Sequence, residues 1–288
     1  MASAVLGTGQ PGNHYPYHTN MEVSLNMEYT TLLFDIRNDV AYITLNRPEA
    51  ANSINSAMSR ELMYAALRCS EDFTIRAVVI TGAGSMFCAG GDLKEFLAQG
   101  EHLPYHLKEE TTYLHAAVSR LTRMNQPVVA AVNGIAAGAG MSLACACDIV
   151  FAAESARFTM AYTRAGLTPD GASTYFLPRI VGLKRALELM LTNRMLSAQE
   201  ALDWGIVTRV VPDAELLAQA DAVAGQLATS ATKALGAAKR LLHNGWNETL
   251  ETQMEHESQT IAETARTSDS HEGMTAFIDK RTPKFKGS

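Results

Sequence analysis

Pro127-Val-Val-Ala-Ala-Val-Asn-Gly-Ile-Ala-Ala-Gly-Ala-Gly-Met-Ser142 decides how this chain folds. Its first six residues form a wholly apolar run, which predicts a strand covered on both faces. The run ends at Asn133-Gly134 and gives way to very small residues, predicting a helix that begins near Ala139. The unpaired N–H groups at such a helix start carry the positive end of the helix dipole and can receive an anion. Small residues also let a helix pack tightly on a sheet, and the two roles are compatible.

Upstream, Ala77-Val-Val-Ile-Thr81 is a second apolar strand, ended by Gly82-Ala-Gly84 and followed by Met86-Phe-Cys-Ala-Gly-Gly-Asp-Leu-Lys94. Adjacent Gly90 and Gly91 suit either a tight strand exit or a turn whose backbone approaches a ligand. Downstream, Asp148-Ile-Val-Phe-Ala-Ala153 is a third strand. Val40-Ala-Tyr-Ile-Thr-Leu45 alternates as a strand before the turn Asn46-Arg47-Pro48, and Met58, Leu62, Ala65 and Ala66 recur at helical spacing, as do residues across roughly 104–124. Strand and helix in alternation predict an α/β core.

The last third reads as helical. Ser197-Ala-Gln-Glu200 is a capping box, Gly205 a helix stop, and helical patterns run through 213–229, 231–244 and 247–266. Residues 1–27 hold Gly7, Gly9, Pro11, Gly12, Asn13 and Pro16 and no Lys or Arg. They lack the features of a secretory signal and of a mitochondrial transit peptide. The expected organisation is a flexible leader at 1–27, an α/β core at 28–196 and a helical region at 197–288.

With 288 residues, 47% hydrophobic and 19% charged, the chain has the balance of a globular protein with a sizeable core. Its net charge of −6 argues against a nucleic-acid partner. Cys69, Cys88, Cys145 and Cys147 form no C-x-x-C pair and read as free thiols in a reducing cytoplasm. No apolar run is long enough for a membrane span. Neither a Walker loop nor a dinucleotide fingerprint is present.

Phe87-Cys-Ala-Gly-Gly-Asp-Leu-Lys94 and Asn133-Gly-Ile-Ala-Ala-Gly-Ala-Gly140, in this order and after Asn46-Arg-Pro48, resemble the motifs of the crotonase (enoyl-CoA hydratase/isomerase) superfamily. The resemblance spans about residues 27–286. It implies a crotonase-like spiral of ββα turns and a C-terminal helical trimerisation region, giving a homotrimer or hexamer. It implies an acyl-CoA substrate whose thioester oxygen sits between the backbone N–H groups of Gly91 and Ala139. Removing a proton beside a thioester puts negative charge on that oxygen, and one fixed donor is typically worth ~3–4 kcal/mol of barrier. The resemblance also implies a coenzyme A groove lined by Glu49, Ala51, Ser53, Ala89, Asp92 and Leu93, with Lys280 on phosphate. It implies no metal and no cofactor beyond the coenzyme A of the substrate.

At the two positions where hydratases of this family carry their paired glutamates, the chain has Ser142 and Tyr162. The carboxylate in this region is Asp170, in Gly166-Leu-Thr-Pro-Asp-Gly-Ala-Ser173. An Asp just before a helix is also a natural N-cap. The chain is similar here to the phenylacetate-pathway enoyl-CoA isomerases, which place an Asp at this position. It shares with them Ala-Ala-Gly-Ala-Gly at 136–140, Leu177-Pro-Arg-Ile-Val-Gly182 and Glu272-Gly-Met-Thr-Ala-Phe-Ile-Asp-Lys-Arg281. That resemblance implies Asp170 as a proton shuttle across a dienolate. A second resemblance, to the 4-chlorobenzoyl-CoA dehalogenases, implies Asp170 as nucleophile with His115 beside it. Tyr162 stands where that group has Trp, and Gly91 where it has a bulky aromatic. An atypical hydratase and a non-enzymatic binding protein are the remaining alternatives.

Overall fold

A computed structural model describes residues 28–288. The leader expected at 1–27 lies outside the described residues. β1 (Leu32–Arg37) and β2 (Val40–Leu45) form a hairpin. Its two-residue turn holds Asn38 and Asp39 at φ 50° and 62°, the left-handed pair that matches strand twist. α1 (Ser56–Glu71) follows, capped by the Asn55 side chain accepting from Met58 N–H at 2.9 Å. Then come β3 (Ala77–Gly82), α2 (Leu93–Ala98), α3 (Leu103–Arg123), β4 (Val128–Val132), β5 (Ile135–Ala137) and α4 (Ala139–Ala146). β6 (Ile149–Ala153), β7 (Arg157–Thr159), α5 (Ser173–Val181) and α6 (Leu183–Thr192) complete the middle of the chain. β8 (Leu196–Ser197), α7 (Ala198–Asp203), β9 (Arg209–Val211), α8 (Leu216–Ala228), α9 (Thr232–Gly245), α10 (Leu250–Thr264) and α11 (Ser268–Ile278) end it.

The larger sheet has the order β1-β2-β3-β4-β6-β9, with every pair after the hairpin parallel. β3 and β4 are buried along nearly their whole length, which is why they read as uninterrupted apolar runs. β5, β7 and β8 form a second, three-stranded sheet. This repeated strand–strand–helix winding is the fold expected from the resemblance. The core does not stop at residue 196. β9 is the last strand of the larger sheet, and Lys239 of α9 reaches back to Asp148 at 2.6 Å and to the Leu121 carbonyl at 2.6 Å. The capping box at Ser197 and Glu200 is formed, and Gly205 ends the segment at φ 80°. Cys69, Cys88 and Cys145 are buried, Cys147 is partly buried, and all four are free. Among the described residues no helix is long and apolar enough to cross a membrane.

Candidate active site

Two glycine-rich turns meet at the ends of β3 and β4. Cys88 and Ala136 form a parallel bridge, with Cys88 N–H donating to the Ile135 carbonyl at 3.0 Å and Ala137 N–H to the Cys88 carbonyl at 2.8 Å. Gly90 has φ 101°, and a Cβ there would lie 3.1 Å from the Ala137 carbonyl and 3.5 Å from Gly138 Cα. A side chain at this position would therefore be strained and would separate the turns. Gly140 is needed for a different reason: a Cβ would meet the Cys88 carbonyl at 2.4 Å, so only glycine lets α4 approach this closely.

This packing leaves two amides unclaimed. The Gly90 carbonyl accepts from Ile54 N–H at 2.7 Å, and Asp92 N–H donates to the Ile54 carbonyl at 2.8 Å. The Gly91 N–H between them points away from that bridge and finds no acceptor among the described residues. Ala139 is the first residue of α4, and its N–H also lacks an acceptor among the described residues, with no side-chain cap on that helix. Both residues line one cavity of about 280 Å³, together with Leu93, Phe96, Leu114, Tyr162 and Asp170.

Asp170 does not cap a helix. Gly171 and Ala172 are both left-handed, at φ 58° and 63°, and delay the helix to Ser173. The Asp170 backbone carbonyl accepts from Ser173 N–H, and its carboxylate is free to turn elsewhere. It receives the Tyr162 hydroxyl at 2.6 Å. Tyr162 in turn lies 2.9 Å from Ser142 Oγ, which is also 3.1 Å from the Gly138 carbonyl. The Tyr162 proton goes to the Asp170 carboxylate, so the single Ser142 proton is shared between the Tyr162 oxygen and the Gly138 carbonyl. Burial, the Asp170 charge and this hydrogen bond push the Tyr162 hydroxyl far above the ordinary phenol range. It remains a donor at any working pH. The two positions lacking a glutamate thus form one hydrogen-bonded chain that ends on the carboxylate.

His115 accepts the Gly171 N–H at Nε2, 3.2 Å away. Ala89 and Leu93 line the cavity, and Ala89 N–H donates to the Ala51 carbonyl at 3.0 Å. Asp92 and Ser53 are held by Arg47, which reaches the Asp92 carboxylate at 2.8 Å and the Ser53 carbonyl at 2.6 Å. Asp92 also caps α2 through the N–H groups of Lys94 and Glu95. Burial alone would raise its carboxyl, but Arg47 and the two amides outweigh burial and hold it below the usual range. Its side chain is spent on the turn rather than free for a ligand. Glu49 is exposed beside this turn. Lys280 lies at the end of α11 and is not in the cavity wall.

Glu110 of α3 was not singled out in the sequence, yet it lines the same cavity. Glu95, His106 and Glu110 bring their ligand atoms within 4.8 Å of one another, a set chemically able to hold a divalent cation. A larger cavity, about 490 Å³, lies among Tyr175, Phe176, Arg179, Lys239, His243 and Trp246. It contains neither free amide nor Asp170, so the smaller cavity is the candidate site.

Residues 35–288 match the enoyl-CoA hydratase/isomerase family. The chain belongs to the enoyl-CoA hydratase/isomerase family. It is 40% identical over 258 residues to a 1,2-epoxyphenylacetyl-CoA isomerase of Escherichia coli (strain K12), covering 89% of this chain and 98% of that protein. It is 35% identical to a 4-chlorobenzoyl coenzyme A dehalogenase of an Arthrobacter species, covering 84% and 86% of the two chains. The crystal structure of an enoyl-CoA hydratase from Bacillus anthracis superposes with a TM-score of 0.85 at 37% identity, covering 90% of this chain and all of that one. The crotonase fold and the family's enzymatic character follow from these matches. Relatives named for isomerisation, hydration and dehalogenation share the scaffold, so the choice among reactions rests on the site.

Proposed function

We propose that this enzyme isomerises the double bond of an enoyl-CoA thioester, with Asp170 as the proton shuttle. The observation that carries the reading is the chain Ser142–Tyr162–Asp170, which turns both hydratase positions into supports for one carboxylate. The thioester carbonyl lies between the Gly91 and Ala139 N–H groups. Asp170 removes a proton from a carbon of a 3-enoyl chain, the negative charge spreads through the dienolate onto the oxygen, and the two amides receive it without reorganising. Asp170 then returns the proton further along the chain. Tyr162 holds the carboxylate in place throughout, and His115 holds the 170–171 backbone.

The coenzyme A body follows the groove beside Glu49, Ala51, Ser53, Ala89, Asp92 and Leu93. Arg47, Ser53 and Asp92 set the groove's shape, while Ala89 and Leu93 supply contact. Lys280 serves phosphate from a neighbouring subunit of a homotrimer or a dimer of trimers. Met254 and Ile261 on α10, and Met274, Phe277 and Ile278 on α11, are exposed large apolar side chains of the kind such an assembly covers. The enzyme works in the cytoplasm and needs no metal or redox cofactor.

Dehalogenation is disfavoured because His115 Nε2, the atom that would accept a proton from water, is occupied by Gly171 N–H. Hydration with Asp170 and Glu110 as an unusual pair is the second reading, because Glu110 lines the same cavity. A panel of 3-enoyl-, 2-enoyl- and halobenzoyl-CoA thioesters in heavy water, followed by mass spectrometry, separates the three. Isomerisation shifts the double bond with exchange and no added water; product carrying the mass of water, or release of halide, would contradict the reading.

A further inference from the structure

Besides Asp170, a second carboxyl stands in the wall of the acyl cavity. Glu110 lies on the face of α3 that also buries Leu114, Ala117, Val118 and Leu121. It is 5% exposed and lines the cavity near Leu93, Phe96, Leu107 and Thr111. Its Oε2 is wholly buried without a hydrogen-bond partner among the described residues. His106 Nε2 is 3.5 Å away, but it lies nearer to Glu95 Oε1, at 3.3 Å, and to Ser56 Oγ, at 3.4 Å. The imidazole therefore leaves Glu110 unsatisfied.

A buried carboxyl without a partner costs free energy that a hydrocarbon ligand would not recover. Burial, followed by the charges of Glu95, Asp170 and Asp92, pushes its pKa up to about 8. A carboxyl oxygen can exchange a hydrogen bond with a ligand hydroxyl. A ligand hydroxyl that reaches the cavity side of this carboxyl would supply a bond it lacks.

We propose that Glu110 forms a polar subsite that selects acyl groups bearing a hydroxyl over plain hydrocarbon chains. The inference rests on the acyl-CoA reading of the cavity. Sites built to bond an oxygen discriminate strongly against analogues that lack it. The competing use of the same residues is a cation held by Glu95, His106 and Glu110.

The test is calorimetric titration of the full chain with hexanoyl-CoA and its 4-, 5- and 6-hydroxy derivatives. Glu110→Leu and Glu110→Gln are titrated alongside the native protein. The native protein should bind at least one hydroxy derivative about tenfold more tightly than hexanoyl-CoA, the worth of one hydrogen bond. Glu110→Gln should keep that preference and Glu110→Leu should lose it. Equal binding of all four thioesters by the native protein overturns the subsite, whatever the stability of the Leu variant. So does a preference that survives Glu110→Leu, or stoichiometric Zn²⁺ uptake that Glu110→Leu abolishes. If none of the four thioesters nor free coenzyme A binds, the acyl-CoA reading falls, and the subsite falls with it.

Discussion

The Tyr162 hydroxyl donates to Asp170 Oδ1 at 2.6 Å while standing 2.9 Å from Ser142 Oγ. Two residues distant in sequence thereby act on the Asp170 carboxylate. The contact fixes the direction of the carboxylate, and a carboxylate so fixed can address two carbons of one bound chain in turn.

Tyr162→Phe removes the donor and keeps the ring. Ser142 retains its contact with the Gly138 carbonyl, so the variant should fold. A hydrogen bond to a charged group is worth ~1.5–3 kcal/mol. Isomerase turnover should fall by about tenfold or more, with acyl-CoA affinity little changed. Single-turnover kinetics and calorimetry check the two halves of this expectation.

Ala139→Pro tests the helix-start donor. Proline is well tolerated at the first position of a helix, where its missing N–H makes no intrahelical bond. The variant should fold and lose turnover by ~10²-fold or more. The same change at Gly91 is a poorer test, because a Cβ there would lie 2.7 Å from the Phe96 ring and disturb the cavity as well. Circular dichroism and kcat on a 3-enoyl-CoA are the measurements.

Glu110 gives a pH dependence with a definite sign. Its folded pKa, about 8, lies above its ordinary 4.5. Between those values the folded chain holds a proton that the unfolded chain has lost, so this residue's contribution to stability declines as pH rises from about 5 to 8. Burial raises the value most, followed by the charges of Glu95, Asp170 and Asp92, and His106 also faces the group. Glu110→Gln should melt increasingly above the native protein as pH rises through this window. Paired melting curves at pH 5 and pH 8 check it.

The sheet and the start of α4 were legible because buried parallel strands appear as apolar runs and because Gly138-Ala-Gly140 has no other comfortable use. β5, β7 and β8 are two or three residues long, too short for a period to show. β9 begins with exposed Arg209, and its place in the larger sheet comes from a long-range pairing with β6. Asp170 looked like a cap because local rules expect a helix directly after it; the left-handed pair Gly171 and Ala172 postpones that helix. Glu110 sits at helical spacing from Leu114, Ala117, Val118 and Leu121, so its burial was readable in principle. Its neighbours Lys108 and Glu109 are exposed, so charge alone does not set Glu110 apart from the solvated side of the helix.

Lys239→Met should show how far the helical end of the chain supports the core. The ammonium bridges Asp148 and the Leu121 carbonyl, and Asp148 also holds Val128 N–H at 2.7 Å. Removing one partner of this largely buried set should cost ~1–3 kcal/mol. Urea unfolding should show the loss as a lower midpoint with unchanged slope.

The most direct test of the account is Asp170→Asn assayed for double-bond migration in a 3-enoyl-CoA, with solvent-deuterium incorporation followed by mass spectrometry. Asn keeps the size of the side chain and an oxygen for Tyr162, but it cannot accept the substrate's proton. The account predicts near-native melting, retained acyl-CoA binding, and a fall in isomerisation and exchange of at least ~100-fold. Turnover and exchange at native rates in the folded variant would contradict it and move the search for a base to Glu110.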